Sequence, residues 1–189
     1  MKGGSSAATT IWTLGHGSHA LPEFLGLLRR HAIAGVADVR RLPQSRRHPH
    51  FGRGPLEASL SAAGMRYDHR DGLGGLRVPD GSPTNAGLRI AAFRGYADHM
   101  QTAAFAAELE ALLTLAGARR TAILCAEAAP RQCHRSLIAD AITARGLVVE
   151  HILGDGGAAR HALTRGARVV DLRVTYPRLQ AALRMEAAL

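Results

Sequence analysis

Residues 121–146 carry the sequence TAILCAEAAPRQCHRSLIADAITARG, and this stretch decides the fold. The short, continuous apolar run Thr121–Cys125 predicts a buried β-strand. Arg135–Arg145 predicts an α-helix that ends before Gly146, since glycine tolerates the left-handed backbone that often follows a helix. A strand, a polar loop and a helix in this order form the repeating unit of α/β proteins.

The same alternation of strand and helix continues on both sides of this stretch. Short apolar runs predict strands at Thr10–Leu14, Ile33–Val39, Met65–His69, Val148–Leu153 and Arg168–Leu172. Apolar residues at helical spacing predict helices at Pro22–His31, Leu56–Ala63 and Pro177–Ala188, and one broken or two consecutive helices over Phe93–Gly117. Strands separated by helices imply a parallel or mostly parallel sheet covered on both faces. We therefore expect a single-domain, Rossmann-like α/β fold with three layers.

One segment lacks any periodicity. Arg70–Arg89 is rich in Gly, Pro, Asp and Asn, which predicts a loop. A loop of about 20 residues in a compact domain is usually functional or mobile. We expect residues 1–9 to be a flexible N terminus and residues 10–189 to form the domain.

The composition is typical of a globular protein. The chain has 189 residues, of which 47% are hydrophobic and 21% charged, enough for one well-cored domain. No apolar run approaches the roughly 18 residues of a membrane span, and Met1–Thr10 lacks the apolar core of a secretion signal. Two cysteines are too few for a disulfide scaffold. We therefore expect a cytoplasmic protein that does not enter the membrane.

The charge indicates a polyanionic partner. The formal net charge is +9, and every basic residue except Lys2 is arginine. Arginine stays ionised and grips phosphate or carboxylate through a planar fork. Nucleic acid or a nucleotide is therefore the first partner to consider. A GC-rich genome would also favour arginine codons, so the arginine-to-lysine ratio alone leaves both explanations open.

Polar clusters follow three of the predicted strands, and ligands of open α/β sheets bind beyond such carboxyl ends. The first cluster, GHGSH at 15–19, combines glycines that permit close backbone approach with His16, a side chain that exchanges protons near neutral pH. The alternative is a loop with two surface histidines.

The second cluster begins where another predicted strand ends. Asp38 is followed by four arginines within eight residues, at positions 40, 41, 46 and 47. A carboxylate beside this much positive charge should stay ionised, and the arginines could clamp phosphate. A solvated basic loop is the alternative interpretation.

The third cluster, CAEAAPRQCHR at 125–135, offers two kinds of cysteine chemistry. Cys125 and Arg131 have the Cys-x5-Arg spacing of phosphate-binding loops in cysteine phosphatases and rhodanese-like sulfurtransferases. In those loops a thiolate lies at a helix N terminus. Cys125, Cys133 and His134 could instead ligate zinc, although a Cys-x7-Cys spacing is not diagnostic.

Glu127 offers a third chemistry in the same cluster. A carboxylate at a strand end can act as general acid or base, or stabilise an oxocarbenium-like centre, with His134 and Arg135 as partners. The structural alternative is that both cysteines are buried as small hydrophobic residues and that Glu127 pairs with Arg135 to hold the loop.

Separated motifs of the chain resemble the signature of the domain-of-unknown-function family number 488. They are Gly15-His16, Asp38-Val39-Arg40 with Pro43, Ser45 and Phe51, Leu73-Gly74-Gly75, Phe93 to Tyr96-Ala97, Cys125-Ala126-Glu127 with Pro130, Cys133-His134-Arg135-Ser136, and a late strand with His151. The resemblance covers about residues 10–155 and leaves 156–189 as a C-terminal extension. It implies a single α/β domain with these motifs gathered at one site, and it brings no established activity.

These observations lead to one functional hypothesis and two alternatives. We predict an enzyme that acts on a nucleotide or nucleic acid and hydrolyses an N-glycosidic bond, as DNA or RNA glycosylases do, with arginines holding phosphate. Acting on a duplex would require the base to be flipped out of the stack. The alternatives are a cysteine-dependent phosphatase or sulfurtransferase that uses Cys125, and a nucleic-acid-binding regulator without catalysis.

The hypothesis assigns a role to each candidate site residue. Catalytic roles are predicted for Glu127, Asp38, Cys125, His134 and His16, and substrate-binding roles for Arg40, Arg135, Ser45, Arg46, Tyr96, Gly74, Gly75 and Cys133. We predict no cofactor, with zinc at Cys125, Cys133 and His134 as the alternative. The Ala/Arg-rich tail 154–189 could mediate a homodimer through its Ala/Leu face or simply pack on the domain.

Overall fold

The computed structural model describes residues 9–178. Its strands are β1 Thr10–Gly15, β2 Gly35–Asp38, β3 Arg66–His69, β4 Thr121–Cys125, β5 Val148–Ile152, β6 Ala158–Arg160, β7 Arg168–Val170 and β8 Arg173–Thr175. Its helices are α1 Leu21–Arg30, α2 Arg53–Ala62, α3 Ala91–His99, α4 Ala103–Ala118 and α5 Arg135–Thr143. Within this part of the chain, no helix has both the length and the apolar character needed to cross a membrane.

Most predicted elements are present, with ends shifted by a few residues. The region predicted as one broken or two helices is α3 followed by α4, and the Thr102 side chain caps α4 by accepting from the Phe105 amide at 3.2 Å. The expected N terminus and the helix predicted at Pro177–Ala188 lie almost wholly outside the described residues.

The C-terminal strands differ from the prediction. The strand expected at Arg168–Leu172 ends at Val170, because Asp171 and Leu172 form a turn with φ of 48° and 64° that leads into β8. Strands β6 and β8 were not predicted. Each has only three residues, too few for an alternating pattern to be recognised in the sequence.

The six-stranded sheet has the order β3-β2-β4-β1-β5-β6. Its first five strands are parallel, and β6 is antiparallel to β5. Strand β4 lies between β2 and β1, with Cys125 opposite Gly15 and Leu124 opposite Asp38. The carboxyl ends of these three central strands therefore meet at one edge of the sheet.

Helices cover both faces of the sheet. Trp12 and Leu14 of β1 pack in one apolar cluster with residues of α1 and α2, whereas Ile11 packs in the other with residues of α3, α4 and α5. This division follows from the alternation of side chains along a strand. The prediction of a three-layer α/β fold with a mostly parallel sheet is confirmed.

The predicted loop 70–89 is present as an anchored irregular segment. It contains short 3-10 turns at Asp71–Leu73 and Pro83–Asn85. The Asn85 side chain is fully buried, donates to Asp98 of α3 at 2.8 Å and accepts from the Tyr176 amide at 3.0 Å. These bonds fix the segment against α3 and the end of β8.

Candidate functional site

The fold brings the three polar clusters together. The His16 amide donates to the Cys125 carbonyl, and the Val39 amide donates to the Leu124 carbonyl, each at 3.0 Å. These bonds continue the parallel ladder beyond the strand ends, so residues that follow β1 and β2 flank the loop that follows β4. The polar residues that follow β1, β2 and β4 therefore lie together in space.

The loop after β4 brings Cys133 and His134 back to the end of that strand, close to Cys125. A 3-10 turn at Pro130–Gln132 reverses the chain before α5. As a result, the Cys125 sulfur, the Cys133 sulfur and a ring nitrogen of His134 all lie within 4.8 Å of one another. His134 Nδ1 is 3.9 Å from Cys125 Sγ and 3.8 Å from Cys133 Sγ.

The His134 ring is held in one orientation. Its Nε2 lies 3.2 Å from the Val39 carbonyl oxygen, which can only accept, so Nε2 carries the proton and Nδ1 presents its lone pair to the two sulfurs. The Tyr96 ring packs against the imidazole with centroids 4.9 Å apart. On Gly75, a Cβ atom would lie 2.9 Å from Nδ1, so only glycine leaves this nitrogen uncrowded.

The two thiols differ in their surroundings. Cys125 donates to Glu127 Oε2 at 2.9 Å, and Arg135 Nε donates to Cys133 Sγ at 3.3 Å. The interaction between the two neighbouring thiols raises the pKa of Cys125 and lowers the pKa of Cys133. Burial and Glu127 raise the pKa of Cys125 further, while the positive charge of Arg135 lowers that of Cys133. Of the two thiols, Cys133 is therefore the one that ionises more readily.

Arg135 fixes the loop. It is fully buried, and its Nη2 donates to the carbonyl oxygens of Glu127 at 2.5 Å and Ala128 at 3.4 Å. A Cβ atom on Gly15 would collide with the same Glu127 carbonyl, so the loop can approach β1 only over a glycine. Arg135 thus holds the backbone of Glu127, while the Glu127 side chain remains exposed.

At the end of β2, Asp38 and Arg40 form a buried, hydrogen-bonded ion pair. Asp38 is fully buried and accepts from Arg40 Nε at 2.8 Å, Arg40 Nη2 at 2.5 Å and the Tyr67 hydroxyl at 2.8 Å. Arg40 Nη1 donates to the Phe51 carbonyl at 2.8 Å. Burial lowers the pKa of Arg40, but the hydrogen bonds and charge of Asp38 raise it above its ordinary value. These contacts make the pair a buried support for the site.

His16 lies beside this pair. The imidazole is 4% exposed and stacks on Phe51 with centroids 4.3 Å apart. Burial lowers its pKa to about 4, so the ring is neutral at pH 7. Its Nδ1 donates to the Gly17 carbonyl at 3.0 Å, which leaves Nε2 as an acceptor.

The remaining predicted residues form the surroundings of the site. Ser45 accepts from the His48 amide at 3.0 Å and so shapes the loop, while Arg46 is exposed. A Cβ atom on Gly74 would lie 2.8 Å from the Cβ and 2.9 Å from the Cα of Arg41. Tyr96 is 1% exposed, and its hydroxyl donates to the Leu73 carbonyl at 2.7 Å. Tyr96 therefore packs against His134 and is hydrogen-bonded to the 70–89 segment.

A buried chain of hydrogen bonds extends the site to β5. The Asp140 carboxylate accepts from His161 Nε2 at 2.8 Å, His161 Nδ1 accepts from His151 Nε2 at 3.0 Å, and His151 Nδ1 accepts from the Thr13 hydroxyl at 2.7 Å. Tyr176 also donates to Asp140, at 2.6 Å. Apart from His151 in the late-strand motif, sequence reasoning missed these residues, because they come from separate elements with no recognisable spacing.

His151 and His161 line a cavity of about 740 Å³. Arg131, Arg160 and Arg165 also line it, together with the turn at Pro130–Gln132. Glu127 does not line the cavity but belongs to the loop that bounds it. Positive charge thus surrounds a concave space next to the candidate site.

The family relationship rests on a match across the centre of the chain. Residues 20–142 match the family described as domain of unknown function DUF488. This segment includes β2 to β4, most of α5 and the Cys125–Arg135 loop. No curated protein and no solved structure matches the chain. The chain therefore belongs to the DUF488 family.

Proposed function

We propose that this protein is a hydrolase that cleaves the N-glycosidic bond of a nucleoside or nucleotide, with Glu127 as the working carboxylate. The observation that carries the proposal is the contrast in Glu127 itself. Its side chain is exposed beyond the carboxyl end of β4, while its backbone carbonyl is gripped by buried Arg135. A catalytic group needs both features, because it must reach substrate and be held in place.

Of the two carboxylates that the sequence suggests as catalytic groups, Glu127 and Asp38, only Glu127 acts in the proposed reaction. All the strong acceptor positions of Asp38 are occupied by Arg40 and Tyr67, and the side chain is fully buried. Asp38 therefore serves as a positioning residue for the end of β2. Glu127 Oε2 accepts from Cys125, and this bond orients the carboxylate with its second oxygen available to water.

The proposed reaction is the addition of water across the bond between C1′ and the base nitrogen. Glu127 takes a proton from water as the water oxygen bonds to C1′. The electron pair of the breaking bond goes to the base nitrogen, and the proton that Glu127 took from water passes to that nitrogen, which restores the carboxylate. The negative carboxylate also stabilises the positive charge that develops on the sugar ring.

The substrate class follows from the cavity beside the loop. A volume of about 740 Å³ lies within the range of roughly 300–1,000 Å³ that is typical of small-molecule sites. Arg131, Arg160 and Arg165 line it and supply guanidinium groups suited to phosphate. A base-and-phosphate ligand would account for both the size and the charge of this space.

The geometry favours Glu127 over Cys125 as the reactive group. Cys125 is 4% exposed, and its thiol is a donor to Glu127. The neighbouring Cys133 and burial raise the pKa of Cys125, which opposes formation of the thiolate that a cysteine phosphatase needs. Arg131 is exposed and lines the neighbouring cavity.

The test is the release of free base from a pool of nucleosides, nucleotides and modified-base oligonucleotides, followed by mass spectrometry. Wild type and Glu57→Gln should release base, and Glu127→Gln should be slower by about 10²–10⁴-fold. Glu57 is the matched control because it is an exposed glutamate on α2. Loss of phosphate or transfer of sulfur without base release would overturn the proposal in favour of cysteine chemistry. Tight, salt-sensitive binding with no turnover would overturn it in favour of a binding protein.

A further inference from the structure

We propose that Cys125, Cys133 and His134 form a binding site for a divalent transition metal ion, with zinc as the preferred ion. The inference goes beyond the glycosidic proposal and does not depend on it. It starts from three buried side chains whose ligand atoms lie within 4.8 Å of one another. Two thiolates and an imidazole are a common zinc ligand set.

The spacing of the ligand atoms fits a tetrahedral ion. Zinc bonds of about 2.3 Å to sulfur and about 2.0–2.1 Å to nitrogen place neighbouring sulfur and nitrogen ligands about 3.6 Å apart in a tetrahedron. The observed separations from His134 Nδ1 are 3.9 Å to Cys125 and 3.8 Å to Cys133. A shift of a few tenths of an ångström would bring these ligands to bonding distance.

The orientation of His134 is the second observation. Its Nε2–H donates to the Val39 carbonyl, so the unprotonated Nδ1 is the nitrogen that faces the sulfurs. Metal-bound histidines are characteristically fixed by such a bond from the other ring nitrogen, commonly to a backbone carbonyl. Arg135 Nε, 3.3 Å from the Cys133 sulfur, would further stabilise that ligand as a thiolate.

Charge balance explains how such a site can be buried. Binding of Zn²⁺ displaces the proton of any protonated thiol to solvent, and two thiolates then neutralise the charge of the ion. The sulfur ligands also select against magnesium and calcium, which prefer oxygen. A buried cluster of this composition is thus complementary to a soft divalent cation.

The cluster has the composition of an open site. Among residues 9–178, no fourth Cys, His, Asp or Glu joins the group of three. Three protein ligands with the fourth position left to water are typical of catalytic zinc. Glu127 Oε2 lies 2.9 Å from the Cys125 sulfur, so an ion held by that sulfur has this carboxylate beside it. Zinc-dependent nucleobase deaminases combine Cys and His ligands with an unligated glutamate in the same way.

The experiment measures metal binding by the full-length protein, kept reduced, in the absence of substrate. Elemental analysis after zinc loading and dialysis should give one zinc per chain. Cobalt(II) should produce the intense visible bands of a tetrahedral ion and a thiolate charge-transfer band in the near ultraviolet. Cys133→Ser and His134→Ala should weaken cobalt binding by at least about 100-fold, exceeding the effect usual for outer-shell residues. His48→Ala, a half-buried histidine outside the cluster, should bind as wild type does.

Two results would overturn the proposal. One is a wild-type protein with two free thiols that shows no thiolate-to-cobalt band. The other is stoichiometric zinc retained equally by wild type and both ligand variants. If a ligand variant fails to fold by circular dichroism, the wild-type cobalt spectrum decides, because it reports sulfur ligation directly. Base release is assayed separately, so either proposal can fail while the other stands.

Discussion

The ends of β2 and β4 lie side by side at the same edge of the sheet, yet their polar groups are used in opposite ways. At β2, Asp38 and Arg40 are buried and bonded to each other, to Tyr67 and to Phe51. At β4, Glu127 is exposed, and His134 directs a free lone pair at two sulfurs. A polar cluster at a strand end therefore indicates chemistry only when bonding capacity remains after the fold has been satisfied.

The largest effect expected from this contrast is on stability at the β2 end. Asp38→Asn leaves the Arg40 guanidinium buried without its counter-charge, and we expect a loss of about 3–5 kcal/mol in the free energy of unfolding. Urea denaturation measures it. Asp68→Asn on β3 is the control, because Asp68 forms a 3.7 Å pair with Arg119 in which both side chains are over a quarter exposed. That change should cost less than about 1 kcal/mol. A loss for Asp38→Asn as small as that of Asp68→Asn would contradict the supporting role of Asp38.

An intermediate effect on stability is expected at His151 and His161. Like Asp38 and Arg40 at the end of β2, these two side chains are hydrogen-bonded to each other and to neighbouring groups. Burial, followed by the neighbouring imidazole of His161, lowers the pKa of His151 to about 4. Between roughly pH 6.5 and pH 4, His151 is therefore protonated in the unfolded chain but neutral in the folded protein. Because the unfolded state binds more protons, the free energy of unfolding decreases as the pH drops through this window. At about 1.4 kcal/mol per pH unit, the loss reaches up to about 3 kcal/mol.

The variant His151→Gln sharpens this test. Gln can accept from Thr13 and donate to His161 without titrating, so its stability should fall less steeply than that of wild type below pH 6.5. Thermal unfolding across the pH range gives both slopes. Identical slopes would show that His151 does not resist protonation in the folded protein.

A smaller effect is expected at the contact between the 70–89 segment and the β4 end. A methyl group in Gly75→Ala would lie 2.9 Å from His134 Nδ1, so we expect cobalt affinity to fall by about tenfold or more. Gly117→Ala is the matched control, because no heavy atom lies within 4 Å of its added carbon in α4. It should bind metal normally and be about 0.5–1 kcal/mol more stable. Unchanged affinity in Gly75→Ala would mean that Nδ1 is not a ligand.

The sequence predicts the sheet and the location of the site because both follow from local patterns. Apolar runs such as Thr121–Cys125 fix the strands, and the rule that ligands bind beyond parallel strand ends gathers His16, Asp38 and Cys125 at one edge. The proximity of Cys133 to Cys125 follows once Pro130 begins a turn between a strand and a helix that must pack together.

The use of each polar group is not predictable in this way. Tyr67, on β3, and the Phe51 carbonyl, in a separate turn, satisfy Asp38 and Arg40, and only tertiary packing brings them there. Glu127 and Arg135 do pair, but through the backbone carbonyl rather than the carboxylate that the sequence suggested. Side-chain partners separated by tens of residues leave no periodic signal, so sequence reasoning finds the candidates but not their roles.

The most direct measurement compares Glu127→Gln with Asp38→Asn for both base release and the free energy of unfolding. Our account predicts that Glu127→Gln loses about 10²–10⁴-fold in rate while its stability stays within about 1 kcal/mol of wild type, since Glu127 is exposed. Asp38→Asn should instead show a large decrease in the free energy of unfolding. Full base release by Glu127→Gln, or a loss of stability as large as that of Asp38→Asn, would contradict the claim that the end of β4 is the reactive part of this fold.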